Sequence, residues 1–594
     1  MRALLTIVLA ARIPAIAQPD PAARLESLLA QARQAQARSD FRAAEVAYRE
    51  ALTLRPEVAE LWSNLGLMQH EAGDYSRAAD AFRTALRLNQ TMFVPNLFLG
   101  LDLLQLEHPK EAVPYLLASE QLKPGDPQPA LALGRAFHTL SQPESSRKWY
   151  RRAIELAPRN GEAWYGLGLA DFGLAEAAAA KLTGSFRESV YVAELTAGAF
   201  AEQDRLTEAI HAYRALIELK AAPPQCSHTA YGFVLIRHGD PPEAEQEFRR
   251  DLQSCPAARI GMARLVFESG ARERGLAMLA ELANSDQEGF DSSLPRFWEG
   301  LDAQQLETRL AQLRQSTGPM AGVVSARLSE GVRSAPELEP GRPIPEFRNV
   351  EELQRFASNA YFSGHVRTAA LASDHLRQKY PDSPAGWYWT VRANLKLGVL
   401  ALARAGEVEP DSPRIHALLG DVYQRRKMFD QAREEYSKVL AAAPDSVAGL
   451  AGLAAADLAD GRLEEARTAA QKALARNPAD SEINLLMGEI LVAQHEYVDA
   501  EPCLKRSLHA RPVLLPRVHV LLGRVLASTG REKEAIEELR QGLASDDDGS
   551  VHYQLARLYQ KMGDPKAADA AFEKSKQIRA RSDDLAQRAL MPIN

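Results

Sequence analysis

Apolar residues recur along this chain at spacings of three and four over short blocks, and the blocks come in pairs separated by a few polar residues. Between Ala59 and Met92, the side chains of Leu61, Trp62, Leu65 and Met68 share one helical face, and Ala78, Phe82 and Ala85 share another. Gly73 and Asp74 stand between the blocks, where the chain must turn. The pattern predicts two amphipathic helices folded back on each other, with Gly66 leaving room for close approach. Such a hairpin cannot bury both its faces alone, so it needs neighbours. The chain supplies them: shifting the window by 34 residues restores the pattern. Pro124 and Pro158 lie one such step apart, and Pro444, Pro478 and Pro512 repeat it, each closing a second helix.

Trp62, Leu65, Gly66, Gln69, Gly73, Tyr75, Ala78, Phe82, Ala85 and Gln90 fall on the ten marked positions of the tetratricopeptide repeat, and only Gln69 and Gln90 depart from its residue types. The chain therefore resembles that family. The resemblance implies an all-α solenoid of helix hairpins wound as a right-handed superhelix. For function it implies a general binding scaffold and no particular ligand.

Read with this ruler, residues 18–289 form an N-terminal array. Four repeats abut from Leu25 to Asn160, the first having a polar leading helix suited to a cap. Two units, Gly161 to Ser189 and Pro384 to Ser412, are only 29 residues long and read as repeats shortened at the middle turn. Residues 290–349 lose the motif, although Leu301, Leu306, Leu310 and Leu313 keep helical spacing, and Ser334 to Pro345 is too rich in proline for a helix. The boundary between arrays is placed there. A C-terminal array fills 350–581, and 582–594 read as a polar capping helix and tail. Degenerate copies included, the repeats number about fifteen helix pairs.

Composition narrows the partners. A net charge of −7 spread over 594 residues points neither to nucleic acid nor to an anionic membrane surface. Beyond the leader, no apolar run is long enough to span a bilayer. The opening residues do resemble a secretory leader, with Arg2, the apolar run Ala3 to Ala11 and Ala15-Ile16-Ala17 before Gln18, so 1–17 is expected to be cleaved and the protein to be periplasmic or secreted. A frayed extension on a cytoplasmic protein is the alternative. Cys226 and Cys255 fall at the start and the end of one hairpin, which makes them a candidate disulfide, with two buried small hydrophobes as the other reading. Cys503 has no nearby partner in sequence and is read as core.

Catalytic and metal-binding spacings are absent from the sequence: there is no His-Glu-x-x-His, no phosphate loop before a helix and no Cys-x-x-Cys. His416, His519 and His552 occupy the fourth repeat position, where the family has Trp, and are read as packed core. Asp546, Asp547 and Asp548 precede a helix and are read as stabilising its N-terminus. No cofactor is expected. The family's inner groove implies Glu60, Ser63, Leu67 and His70 in one repeat and Leu97 and Leu101 in the next as candidate binding residues. Arg517, Arg524, Arg557 and Lys561 fall on the same face near the C-terminus and suit a partner's carboxylates. The family's carboxylate clamp is not reproduced, because Val94 and Phe98 stand where basic residues are required. The sequence thus reads as a non-enzymatic scaffold for protein or peptide partners. Alternatives are a component of an envelope export or assembly complex and a ligand-sensing regulator. An enzyme hidden in Phe290 to Gly331 would lack a nucleophile–base pair.

Overall fold

The computed structural model describes residues 20–219, 221–301, 303–316, 318–330, 343–425, 428–511, 514–546 and 548–588. The expected leader, most of the proline-rich stretch and the last six residues lie outside them. Among the described residues there are 31 α-helices and three short 3-10 turns, and no strand. Twenty-eight of the helices pair into fourteen hairpins, and none of the 31 is long and apolar enough to cross a membrane.

Two local rules build the hairpins. The first is an exchange of volume across the pair. A Cβ added to Gly66 would lie 2.6 Å from the Phe82 ring, and the same glycine-to-large pairing, sixteen residues apart, recurs at Gly100/Leu116, Gly134/Tyr150, Gly232/Phe248, Gly420/Tyr436, Gly488/Leu504 and Gly523/Leu539. The absent side chain lets the two backbones close until the large residue fills the space. Where the first position is Ala454, its partner is the smaller Ala470, and both are fully buried. The second rule is a left-handed residue at the turn. Gly73 has φ +78°, and Gly461, Gly530 and Gly563 repeat it, but Ser39, Glu107, Ser141, Asp204 and His495 adopt it with side chains. The N–H groups of Gly73 and Asp74 then close the first helix onto His70 and Gln69, and the Asp74 carboxylate caps the second at Arg77 N–H.

The two 29-residue units depart from expectation. They are not hairpins with a tightened turn but single helices, Gly161–Ser185 and Pro384–Val408, each of 25 residues. Losing five residues removed the left-handed position itself, and helix-forming runs such as Ala175 to Leu182 let the first helix propagate through. These two units leave thirteen of the expected fifteen pairs, and the helices Ala303–Gln315 and Pro319–Glu330 of the degenerate region add the fourteenth. In the degenerate region Leu306, Leu310 and Leu313 lie on the helix Ala303–Gln315, while Leu301 precedes it. The C-terminal polar segment starts no new element: the last hairpin's second helix runs on from Pro565 to Arg588.

The chain divides into two compact units, one through Gly173 and one from Leu174. The second holds an arrangement that the repeat count alone does not contain. Its residues between Val190 and Ser293, first-helix side chains such as Tyr191 and Tyr231 among them, meet the later segment 350–392. Gln354 Nε2 donates to Tyr191 Oη at 2.6 Å, Gln225 Nε2 donates to Asn359 Oδ1 at 3.3 Å, and Ser292 Oγ donates to the Phe362 carbonyl at 2.6 Å. His365 Nε2 meets Glu288 Oε2 at 2.9 Å, and Phe362 packs on the core formed by Tyr231, Phe233 and Phe248. A first-helix face of the kind that partners occupy in a groove is thus covered by the chain's own residues.

Candidate interaction surfaces

In the first unit the inner-face positions separate by depth. Ser63 and Leu97, both 5% exposed, are packed between neighbouring first helices and are corrected from surface to core. The fifth repeat position faces the adjacent repeat, so stacking buries it. Glu60 is exposed, and Leu67, Leu101 and His70 are half-buried. His70 Nδ1 meets Asp102 Oδ1 at 2.5 Å, and its ring stands edge-on to Tyr75 and Phe98, with centroids 5.5 and 4.9 Å away. Burial pushes the fully buried Asp102 carboxyl above its ordinary value, although His70 opposes the shift. A separate cleft of about 450 Å³ opens between the second helices Phe41–Leu54 and Tyr75–Leu88, beside Trp62. There Gln69, which stands where the family carries Tyr, donates to Glu45 Oε1 at 3.1 Å.

Near the C-terminus the four basic residues divide differently. Arg517 pairs with Glu489 at 2.5 Å, and Lys561 pairs with Glu532. Burial raises the Glu489 carboxyl above its ordinary value, with Arg517 acting against it. Arg524 and Arg557 occupy the same position on the first helices Leu515–Ser528 and Ser550–Lys561 and are exposed, with no ion pair among the described residues.

The fourth repeat position proves to be a tie, and sequence reasoning missed its chemistry. Trp62 Nε1 donates to the Pro56 carbonyl and Trp164 Nε1 to the Pro158 carbonyl, each at 2.8 Å. Asn96 Nδ2 reaches the Gln90 carbonyl at 3.2 Å, and Asn484 Nδ2 the Pro478 carbonyl at 2.9 Å. All four bind the end of the preceding repeat. Histidine at this position turns instead to its own hairpin. His228 Nδ1 meets Glu247 at 2.6 Å, His416 meets Glu435 at 2.7 Å and His519 meets Glu538 at 2.6 Å, each carboxylate nineteen residues later. These histidines are half-buried partners of carboxylates and not apolar core. The repeated nineteen-residue His-to-Glu spacing was the available signal. His552 differs, meeting Asp546 Oδ2 at 2.5 Å, while Asp546 also accepts from Val551 N–H and His552 N–H. Asp548 caps Ser550 N–H, and Asp547 lies outside the described residues. Among the described residues no group of three or more His, Cys, Asp or Glu is arranged to hold a metal.

Cys226 and Cys255 are bonded, with Cα atoms 5.6 Å apart, and join the two ends of the hairpin of helices Ser227–His238 and Pro241–Asp251. Cys503 is free and half-buried, and burial pushes its thiol up.

Comparison with known proteins accords with the hairpin geometry. One tetratricopeptide repeat model matches residues 29–92, 99–161, 131–170 and 417–481, a second matches 457–519, and a third matches 516–548 and 549–581. Among solved structures, MamA MSR-1 C2 is 24% identical over 29% of this chain and 98% of its own, with a TM-score of 0.26. MamA 41-end from Desulfovibrio magneticus RS-1 is 21% identical over 29% and 97%, with a TM-score of 0.27. TTC0263, a thermophilic TPR protein in Thermus thermophilus, is 24% identical over 30% and 97%, with a TM-score of 0.25. No curated protein matches the chain. Repeat-model matches in both units, on hairpins built by the same two packing rules, place this chain in the tetratricopeptide repeat family of protein-interaction scaffolds.

Proposed function

We propose that this protein is an exported, non-enzymatic scaffold that holds an acidic segment of a partner protein on the first-helix face of its last hairpins. Arg524 and Arg557 carry this reading. Two guanidinium groups at equivalent positions, exposed and without ion pairs among the described residues, offer forked donors to carboxylates on a rigid surface. By contrast, residues between Val190 and Ser293 are covered by residues 350–392 of the same chain. In the first unit Glu60, Leu67, His70 and Leu101 offer a second, more apolar docking strip. The leader-like opening sequence and the Cys226–Cys255 bond both support an oxidising compartment.

The partner test is a pull-down from envelope extract with Arg524→Glu and Arg557→Glu combined. Loss of a partner recovered with the wild-type protein is expected, and unchanged recovery overturns the arginine site. Export is tested by fractionation with N-terminal sequencing. A mature chain beginning at Gln18 outside the cytosol is expected, and an intact Met1 in the cytosol overturns it.

A further inference from the structure

Where residues 350–392 cover the earlier hairpins, charges gather that the packing alone does not require. Tyr388, Arg392 and Lys396 lie one turn apart on the helix Pro384–Val408 and share a face. Tyr361 comes from the helix Val350–Phe362, Glu194 from the helix Val190–Glu202 and Arg296 from the short turn Leu294–Phe297. Glu194 is fully committed. One of its oxygens accepts from Arg392 Nη1 at 2.8 Å and the other from Tyr388 Oη at 2.9 Å. Arg296 is likewise matched, its Nη1 donating to both Glu299 oxygens at 2.8 and 2.6 Å.

Lys396 is the cation left over. Its Nζ stands 5.3 Å from the Tyr361 ring centroid, with the Arg392 guanidinium carbon 5.0 Å from the same ring. The ammonium is half-buried, and no carboxylate among the described residues lies within ion-pair distance of it. Removing an ammonium from water without an anion is costly, and a ring face compensates only in part. The local field tells the same story from two sides. Burial pushes the Lys396 ammonium below its ordinary value, Tyr361 resists, and Arg296 and Arg392 add to the fall. Burial would raise the Tyr361 hydroxyl, but Arg392, Lys396 and Arg296 outweigh it and bring the hydroxyl below its ordinary value. Positive charge is in excess, and the edge of the cluster is open to solvent, with the Arg296 side chain 42% exposed and that of Arg392 20% exposed.

We propose that Lys396, Arg392 and Arg296 form a binding site for a small divalent oxyanion, either a dicarboxylate or a phosphate. Lys396 supplies the unspent charge and the two arginines supply donors beyond those used on Glu194, Tyr388, Tyr361 and Glu299. An anion so held would join the helix Pro384–Val408 to the turn Leu294–Phe297, so binding would tighten the seam inside the second unit. The inference stands apart from the partner site at Arg524 and Arg557.

Isothermal titration of the full chain at constant ionic strength, with succinate in one arm and inorganic phosphate in the other, tests the site and separates the two chemistries. Saturable binding of one anion is expected, weakened about tenfold or more by Lys396→Gln, retained by Lys396→Arg and unchanged by the exposed control Lys472→Gln. Failure of both anions to bind overturns the proposal, as does equal affinity in Lys396→Gln. Should Lys396→Gln fail to fold by circular dichroism, Arg296→Gln decides: weaker binding supports the site, and unchanged binding removes it.

Discussion

The two units fill the same repeat position with different chemistry. In the first, Trp62, Asn96 and Trp164 donate to a carbonyl at the end of the preceding repeat, so the tie runs along the stack and involves no charge. In the second, His228, His416 and His519 engage a carboxylate within their own hairpin. Asn484 keeps the carbonyl tie, and the Trp387 indole N–H is buried with no hydrogen-bond partner among the described residues. A disulfide fastens the hairpin of His228 a second time. One backbone plan thus tolerates two kinds of fastening. At this position neutral ties couple neighbouring repeats in the first unit, whereas most of those in the second join a histidine to a carboxylate within one hairpin.

Breaking the disulfide should give the largest effect. Reduction, or Cys255→Ser, releases a cross-link of sequence separation 29 and should cost roughly 3 to 4 kcal/mol. Hydrogen exchange followed by mass spectrometry should show loss of protection around residues 225–258, with the first unit unchanged. Next comes the volume rule, which both units share. Gly66→Leu drives a side chain into the Phe82 ring and should destabilise by about 1–3 kcal/mol in urea denaturation. Gly232→Leu against Phe248 should do the same in the second unit.

The difference between ties appears on acidification. Burial would raise the Glu435 carboxyl, but Lys438 and His416 outweigh it and hold the group below its ordinary 4.5. A depressed folded value means that its stabilisation is complete above 4.5 and is lost as the pH falls through the folded value. His416→Leu should therefore cost about 1–2 kcal/mol near neutrality, and less as the pH drops below that point. Trp62→Phe should cost about 1 kcal/mol at every pH, since its partner is a carbonyl. Parallel pH profiles for the two variants would erase the distinction between the units. The smallest effect is a gain: Glu107 has φ +61°, and Glu107→Gly should stabilise by about 0.5 kcal/mol in thermal or chemical melts.

Much of the fold was legible because it is local. The hairpins, their turn positions and the close approach at Gly66 all arise within one repeat, where period and residue size speak directly. The 29-residue units were visible as lapses but misread, because a missing turn residue and a tightened turn leave the same gap in the motif. Ser63 and Leu97 were misplaced for a related reason: the family's groove positions vary in depth with the packing of the adjacent repeat. The histidines stand at the repeat position expected, but their carboxylates lie nineteen residues on, at a position of the second helix that the motif does not mark.

By itself the sequence determined the helices, their pairing and the candidate disulfide partners, since each depends on residues within about one repeat of one another. Only the tertiary structure decided which first-helix face stays open. The bonds joining Tyr191 to Gln354 and Glu194 to Arg392 span 163 and 198 residues. Their partners meet because small rotations accumulate over many stacked hairpins, and no local pattern records that sum. The same accumulation brings Arg296, Arg392 and Lys396 around Tyr361, so the proposed anion site exists only once the second unit has folded back on its own hairpins.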